Sequence, residues 1–153
     1  MDHGANVNYG DGYALQSAAE SGYYDIVVTL VERGANIHIG DDDDPFYYAA
    51  NKNHYKVAEY LLSRGSNVNA HDSYAICYAA DRGRDDMVRL LIKYGIDVNA
   101  NNNDPIYLAA SNGYYNIVNM LIRAGAPSST NNTGLHHSVL LYNLVMKTLL
   151  NCY

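Results

Sequence analysis

The sequence has no tryptophan, a single phenylalanine, three prolines and two cysteines in 153 residues. Cys77 and Cys152 lie too far apart in the chain to suggest a disulfide framework, which favours a reducing compartment. No apolar run approaches the length of a membrane span, and the first residues, MDHGANVNYG, do not resemble a secretory signal. We therefore expect one cytoplasmic domain, since a chain of this length is long enough to bury its own core.

Positive charge is also scarce. Lys and Arg number 10 and Asp and Glu 16, which gives a formal net charge of −6. Double-stranded nucleic acid and anionic membranes attract cationic surfaces, so neither is an expected partner. The chain has no phosphate-binding glycine loop, no G-x-S-x-G elbow and no H-E-x-x-H helix. Because its histidines are scattered and Cys77 falls at an expected core position, we predict no enzymatic activity, no cofactor and no metal.

What the chain has instead is an internal repeat. A glycine-containing motif recurs in steps of 30, 31, 30 and 30 residues, at Gly4, Gly34, Gly65, Gly95 and Gly125. An Ala-Ala pair keeps the same spacing, beginning at Ala18, Ala49, Ala79 and Ala109. Each unit then ends in an apolar pattern with i, i+3, i+4 spacing, such as MVRLLIKYG, which predicts an amphipathic helix.

Each unit is therefore predicted to form a short helix, a tight turn, a longer helix and a glycine stop. Gly22, Gly83 and Gly113 fall in the inter-helix turn, where a left-handed backbone conformation is expected. Asn53 takes this place in the second unit, and asparagine tolerates that conformation better than other non-glycine residues. The small Ala-Ala side chains allow neighbouring helices to approach closely.

Four segments resemble the ankyrin repeat, whose pattern is roughly TPLHxAAxxGH followed by xxIVxxLLxxGADVNA. They are YALQSAAESGYYDIVVTLVERGANIH, DPFYYAANKNHYKVAEYLLSRGSNVN, YAICYAADRGRDDMVRLLIKYGIDVN and DPIYLAASNGYYNIVNMLIRAGAPSS. The resemblance covers nearly the whole chain and implies an all-α repeat solenoid of helix-turn-helix units with short hairpin or finger loops. The implied boundaries are a partial finger at 1–10, repeats at 11–40, 41–70, 71–100 and 101–130, and a degenerate C-terminal capping repeat at 131–153.

The chain departs from the family pattern in two respects. The usual ankyrin period is about 33 residues, so the fingers here are expected to be short. The family's histidine is replaced by other residues, namely Gln16, Tyr47, Cys77 and Tyr107. Thirty-residue repeats rich in Tyr and Asn also resemble those of giant amoebal DNA viruses (mimivirus-like), which would place the protein in the host cytoplasm.

The stretch DDDDPFYYAA contains four consecutive aspartates. Asp44-Pro45 matches Asp104-Pro105 in a later repeat, and both pairs are predicted to begin a helix, with Asp as the cap and Pro as the first helical residue. Asp41 to Asp43 then fall in the finger. Because the glycine and the further oxygen ligands of a calcium loop are missing, no metal site is expected there.

In the ankyrin family, partner contacts concentrate after the Ala-Ala pair, at the finger, and before the closing glycine. The matching residues are Glu20, Ser21, Arg33, Asp41, Asp42, Asp43, Asn51, Lys52, Arg64, Ser73, Asp81, Arg82, Tyr94, Asn102, Asn103, Ser111 and Asn112. These residues vary between repeats while the apolar frame is kept, as a recognition surface requires; the alternative is a solvated polar face. Exposed tyrosines on the second helices are expected to add contact area, namely Tyr24, Tyr55 and Tyr115.

The resemblance implies a non-catalytic module that binds a protein through a concave surface. A monomer is expected, with end-to-end association through the open N-terminal repeat as the alternative. One alternative function is an adaptor piece of a larger ubiquitin-ligase or viral assembly. Another is a substrate or sink of an asparaginyl hydroxylase, since Leu91 stands eight residues before Asn99 in the matching Asp-Val-Asn-Ala pattern, and Asn69 matches less well.

Overall fold

The computed structural model describes residues 6–39 and 44–126, apart from the side chains of Asp44 and of residues 101–104. This part of the chain contains eight α-helices and, within the same ranges, no β-strand. The helices are α1 (Tyr13–Ser21), α2 (Tyr24–Glu32), α3 (Asp44–Asn51), α4 (Tyr55–Ser63), α5 (Tyr74–Asp81), α6 (Asp85–Lys93), α7 (Ala100–Ser111) and α8 (Tyr115–Arg123). They follow one another as four helix-turn-helix pairs, so the predicted all-helical repeat architecture is confirmed.

The chain divides into two compact units, Met1–Ala75 and Ile76–Tyr153, with the division inside α5. In unit 1, α1 packs against α2 and α3, α3 packs against α4, and α2 packs against α4. In unit 2, α8 packs against both α6 and α7. Within each unit, therefore, a helix contacts both its own partner and the corresponding helix of a neighbouring pair.

The turn between the two helices of a pair is built in the same way every time. Gly22 has φ 74°, and its N–H donates to Ala19 O at 3.2 Å while the next N–H, of Tyr23, donates to Ala18 O at 3.0 Å. These two bonds satisfy carbonyls at the helix end that would otherwise lack a partner. Asn53 takes the glycine's place with φ 65°, as predicted, and the Ala49 and Ala50 carbonyls accept the equivalent bonds.

Each second helix ends with the same pair of bonds. At Gly65, φ is 104°, the Gly65 N–H donates to Leu62 O, and the Ser66 N–H donates to Leu61 O, both at 3.1 Å. The other stops are Gly34, Gly95 and Gly125, with φ of 87°, 82° and 107°. The recurring glycines of the sequence are thus explained by one backbone requirement at one place in the repeat.

The core follows the repeat as well. The residue three positions before each Ala-Ala pair is fully buried: Leu15, Phe46, Ile76 and Ile106. The first alanine of each Ala-Ala pair is at most 5% exposed, so the small side chain does allow close packing at that position. The predicted burial of Cys77 is confirmed.

The connections between pairs are held by asparagine and aspartate side chains. The N–H two residues further on donates to the side-chain oxygen of Asn6, Asn36, Asn67 and Asp97, at 2.9 to 3.0 Å. In unit 1, Asn8 also joins two neighbouring connections, since its Nδ2 donates to Gly34 O at 3.1 Å and its Oδ1 accepts from the Asn36 N–H at 2.7 Å. Asx-turns of this kind replace the strand pairing that would otherwise satisfy these backbone groups.

We expect Asn8→Ala to lower the free energy of unfolding by about 1–2 kcal/mol, because two hydrogen bonds to backbone are lost. Asn8→Asp keeps the acceptor for the Asn36 N–H but loses the donor to Gly34 O, so its loss should be smaller. Urea denaturation of the three proteins measures the difference. An unchanged midpoint for Asn8→Ala would show that water replaces both bonds without cost.

Two predicted helix starts are corrected by the structure. Helix α7 begins at Ala100, five residues before Pro105, which therefore lies inside the helix rather than at its first position. Proline removes one intrahelical hydrogen bond and disfavours helical conformation in the residue before it, so α7 continues through Pro105 against the local preference of the sequence. Helix α3 begins at Asp44 itself, so Asp44 is its first residue and not the residue before it.

Candidate protein-interaction surface

In unit 1, the residues after the Ala-Ala pairs of α1 and α3 lie next to each other. Lys52 Nζ is 3.5 Å from Glu20 Oε1, and both side chains are about half exposed. The backbone carbonyl of Glu20 is also 2.9 Å from His54 Nε2. An exposed ion pair of this kind adds at most about 1 kcal/mol of stability, so its main effect is to hold two opposite charges at a fixed separation on the surface.

In unit 2, the residues after the Ala-Ala pairs of α5 and α7 also lie next to each other, but they form a hydrogen bond and not an ion pair. Asn112 Nδ2 is 3.1 Å from both Asp81 O and Asp81 Oδ1, and 3.0 Å from Leu108 O. The Arg82 guanidinium lies 5.8 Å from the centre of the Tyr78 ring, within cation–π range. Ser111 is exposed beside this group. The position that carries an ion pair in unit 1 therefore carries an amide–carboxylate contact in unit 2.

An aromatic ring from the next repeat fixes the turn beside each of these groups. The His54 ring lies against Gly22 in unit 1, and the Tyr114 ring lies against Gly83 in unit 2, where an added Cβ would be 2.6 Å from Tyr114 Cε1. Sequence analysis did not identify His54 or Tyr114. The sequence does contain a sign of this contact. In each case an aromatic residue stands directly before the second helix of the repeat that follows the turn glycine.

The guanidinium of Arg84 adds a further positive charge to unit 2. Partial burial lowers the pKa of Arg84 from its ordinary value, and the nearby positive charge of Arg82 lowers it further. Asp85, which follows it, accepts a hydrogen bond from Asn116 Nδ2 at 3.4 Å. Unit 2 thus presents closely spaced charges of both signs on and beside the turn between α5 and α6.

The predicted residues before the closing glycines lie at the C-terminal ends of second helices. Arg33 and Arg64 are exposed, and the Arg64 guanidinium is 5.8 Å from the centre of the Tyr60 ring. Tyr94 is half-buried, with Lys93 Nζ 5.5 Å from its ring centre. The arginines are therefore accessible to a partner, whereas Tyr94 is accessible only in part.

Several predicted finger residues are placed differently from the expectation. Ser73 is only 4% exposed and its hydroxyl donates to Asn69 Oδ1 at 2.9 Å, so it supports the turn and is not an accessible contact. Asn102 and Asn103 belong to helix α7 and not to a loop. Asp41, Asp42 and Asp43 lie outside the described residues.

The turn that contains Ser73 has an unusual backbone. His71, Asp72 and Ser73 have consecutive positive φ values of 52°, 52° and 61°. The equivalent residues two repeats earlier are Gly10, Asp11 and Gly12, also with positive φ. Residues other than glycine adopt this conformation only at a cost in free energy. The His71 ring stacks on the Tyr47 ring, with centroids 4.1 Å apart, and this contact helps to hold the turn at His71–Ser73.

The tyrosines expected on the second helices, Tyr24, Tyr55 and Tyr115, are exposed, as predicted. In unit 1, one of them, Tyr24, borders a shallow groove of about 370 Å³, which is also lined by Lys56, Glu59, Tyr60 and Ser63. The Tyr24 and Tyr60 rings meet edge to face, with centroids 5.9 Å apart. This groove lies on the second helices, away from the ion pair of Glu20 and Lys52.

The two candidate hydroxylation residues lie in the Asx-turns. Asn99 and Asn69 are both exposed, but Leu91, which belongs to the pattern of Asn99, is fully buried. Asn69 Oδ1 is already engaged by the Ser73 hydroxyl.

Among the described residues, no three His, Cys, Asp or Glu side chains are grouped so that they could hold a metal ion. Within the same ranges, no helix has the length and apolar character needed to cross a membrane.

Residues 1–72 and residues 46–132 each match the family model described as "Ankyrin repeats (3 copies)". The two overlapping matches together extend over residues 1–132 of the 153-residue chain. A search of curated proteins gives no match.

Proposed function

Because the chain belongs to the ankyrin-repeat family, we propose that it is a non-catalytic module that binds a protein through the polar residues following its Ala-Ala pairs. Ankyrin repeats generally mediate protein–protein interaction. The observation that carries the proposal is the pairing of these residues within each unit, Glu20 with Lys52 and Asp81 with Asn112. They are exposed, yet held in place by contacts between neighbouring repeats.

Such pairs favour binding because little side-chain freedom remains to be lost when a partner docks. Unit 1 offers one positive and one negative charge, and unit 2 offers Asp81 together with Arg82. This arrangement suits a polar protein surface with charges of both signs, and electrostatic complementarity of that kind contributes mainly specificity and association rate.

Charge reversal at these positions tests the proposal. We expect Lys52→Glu and Arg82→Glu each to weaken capture of the partner from host lysate roughly 10-fold or more, because each places a like charge where the partner carries a complementary one. The measurement is quantitative mass spectrometry of proteins retained by the immobilised chain and by each variant, with thermal melting as the folding control.

Matched controls exist on the second helices. Lys56→Glu and Arg89→Glu make the same charge changes at exposed residues of α4 and α6, and should leave capture unchanged. A partner lost with the controls but kept by Lys52→Glu and Arg82→Glu would place the interface on the second helices. That result would overturn the assignment of the binding residues.

The finer features of the proposal concern architecture and origin. We propose that four full repeats over 11–130 and a degenerate cap at 131–153, which lies outside the described residues, form a single domain. The protein acts in the cytoplasm of a host cell as a product of a giant DNA virus. The short period and the richness in Tyr and Asn support this origin. The partner is a protein, and neither nucleic acid nor a membrane is needed. As an alternative, the chain serves as an adaptor piece of a larger ubiquitin-ligase or viral assembly.

Asparaginyl hydroxylation is a second candidate function, supported by the exposure of Asn99 and Asn69. Because Leu91 is buried, an enzyme that recognises it would have to meet an opened repeat. Mass spectrometry after co-expression with the hydroxylase tests this candidate, with one added oxygen on Asn99 as the expected result. An unmodified Asn99 would exclude the role of substrate.

A further inference from the structure

Asn112 is followed by Gly113, and no other asparagine of the sequence is followed by glycine. An asparagine in this setting can lose its side-chain amide. The backbone nitrogen of the next residue attacks the side-chain Cγ, its proton and the amide group leave as ammonia, and a cyclic succinimide forms. Water then opens the ring to aspartate or isoaspartate. Glycine has no Cβ to hinder the attack, and Asn112 is exposed to water, so this chemistry meets the least steric resistance there.

The folded conformation of Asn112 opposes the attack. The cyclic intermediate needs the Asn112 Cβ in the plane of the following peptide, whereas a ψ of 0° places the backbone nitrogen of Asn112 there instead. The attacking nitrogen is also engaged, since the Gly113 N–H donates to Ala110 O at 3.1 Å. Rotation about the Asn112 Cα–C bond therefore has to break the turn between α7 and α8 before the reaction starts.

Asp81 helps to hold the Asn112 side chain in this unreactive conformation. Asn112 Nδ2 lies 3.1 Å from both Asp81 O and Asp81 Oδ1, and 3.0 Å from Leu108 O. Two of these three acceptors belong to the neighbouring helix pair, so a contact between repeats fixes the amide in addition to its own helix. Loss of the Asp81 carboxylate removes one acceptor and should release the side chain for attack more often.

We propose that Asn112 is a deamidation site and that its contact with Asp81 restrains the reaction in the folded chain. The product carries a carboxylate at a position that faces three acceptor oxygens, one of them from the Asp81 carboxylate. An ionised carboxyl group has no hydrogen to donate, and two like charges this close repel each other. The original contact therefore cannot re-form, and the formal net charge of −6 gains one further negative charge. The reaction needs only water, so it does not depend on the proposed protein partner.

Incubation of the full chain in native buffer at physiological temperature, followed by peptide mapping with mass spectrometry, measures the rate at Asn112. Asp81→Ala should react roughly 3–10-fold faster than the unmodified chain, the factor that loss of one hydrogen bond gives in an opening equilibrium. Asp81→Asn keeps a side-chain oxygen as acceptor and should react at close to the unmodified rate. Asp85→Ala is the matched control, because it removes another Asp–Asn contact of unit 2, from Asn116 Nδ2 to Asp85 Oδ2 at 3.4 Å, and should leave the rate unchanged.

The same proteins unfolded in concentrated urea separate the effect of the fold from the chemistry of the Asn-Gly pair. In urea all of them should react faster than the unmodified chain does in native buffer, and at one common rate, because the contact with Asp81 is gone. Thermal melting checks that the variants are folded in native buffer. The proposal is overturned if Asp81→Ala and the unmodified chain react equally fast in native buffer, if Asp85→Ala accelerates the reaction as much, or if no chain is modified at Asn112.

Asn112→Asp gives one product of the reaction directly and tests its consequence. It should lower the urea midpoint of the chain, because a carboxylate replaces the donor that faces Asp81. In an Asp81→Asn background the same change should cost much less, since the like charge is gone and the introduced amide can donate to the new carboxylate. An equal loss in both backgrounds would show that the two carboxylates do not repel, and would overturn the one-way character of the modification.

Discussion

Gly83→Ala is expected to lower the free energy of unfolding of the protein by about 2–5 kcal/mol. Two costs add up. The backbone at Gly83 has φ 67°, a conformation that costs a residue with a Cβ about 1–2 kcal/mol. The new methyl group would also stand 2.6 Å from Tyr114 Cε1 and 2.8 Å from Cζ, so the ring must move, and displacement of this kind typically costs about 1–3 kcal/mol.

Gly95→Ala separates these two costs. Gly95 is in the same unit with φ 82°, but no described atom lies within 4 Å of the position of its Cβ. Its substitution should therefore cost only the backbone term, about 1–2 kcal/mol. Guanidinium denaturation of both variants and of the unmodified chain gives the difference. If Gly83→Ala and Gly95→Ala lower the free energy of unfolding equally, the Tyr114 ring moves aside without an energetic cost.

A double-mutant cycle assigns the extra cost to one contact. In a Tyr114→Ala background the ring is absent, so Gly83→Ala should cost no more than Gly95→Ala does. The coupling free energy between positions 83 and 114 is then about 1–3 kcal/mol. Gly83 and Tyr114 lie two residues beyond Asp81 and Asn112, so this contact adjoins the one between Asp81 and Asn112. A variant that loses this contact should also lose the geometry of the proposed surface in unit 2.

Backbone requirements of the repeat were predictable from the sequence because a single residue determines each of them. The left-handed glycines are examples, and so is Asn53, whose positive φ followed from its place in the repeat alone. The burial of Cys77 followed from its position in the first helix of its repeat. Local conformation and repeat spacing are enough to predict these features, because the same turn and the same core position recur in every repeat.

Features that depend on a neighbouring repeat were not predictable. The position of the Tyr114 ring over Gly83 is set by packing between neighbouring helix pairs. Ser73 is buried, with its hydroxyl donating to Asn69 Oδ1. Helix α7 extends before Pro105 although proline at that place is more often a helix start. For the surface, the sequence predicted which positions vary, but the pairing of Glu20 with Lys52 required the structure.

Ile117→Ala is expected to lower the free energy of unfolding by about 2–5 kcal/mol, because Ile117 is fully buried and its loss leaves a cavity. Ile26→Ala removes the same atoms at the same repeat position, but Ile26 is 50% exposed, so its cost should stay below about 1 kcal/mol. Urea denaturation compares the two variants. If both lose the same stability, Ile26 is covered in solution as fully as Ile117 is. If only Ile117→Ala is costly, the first helix pair is stable although Ile26 is exposed.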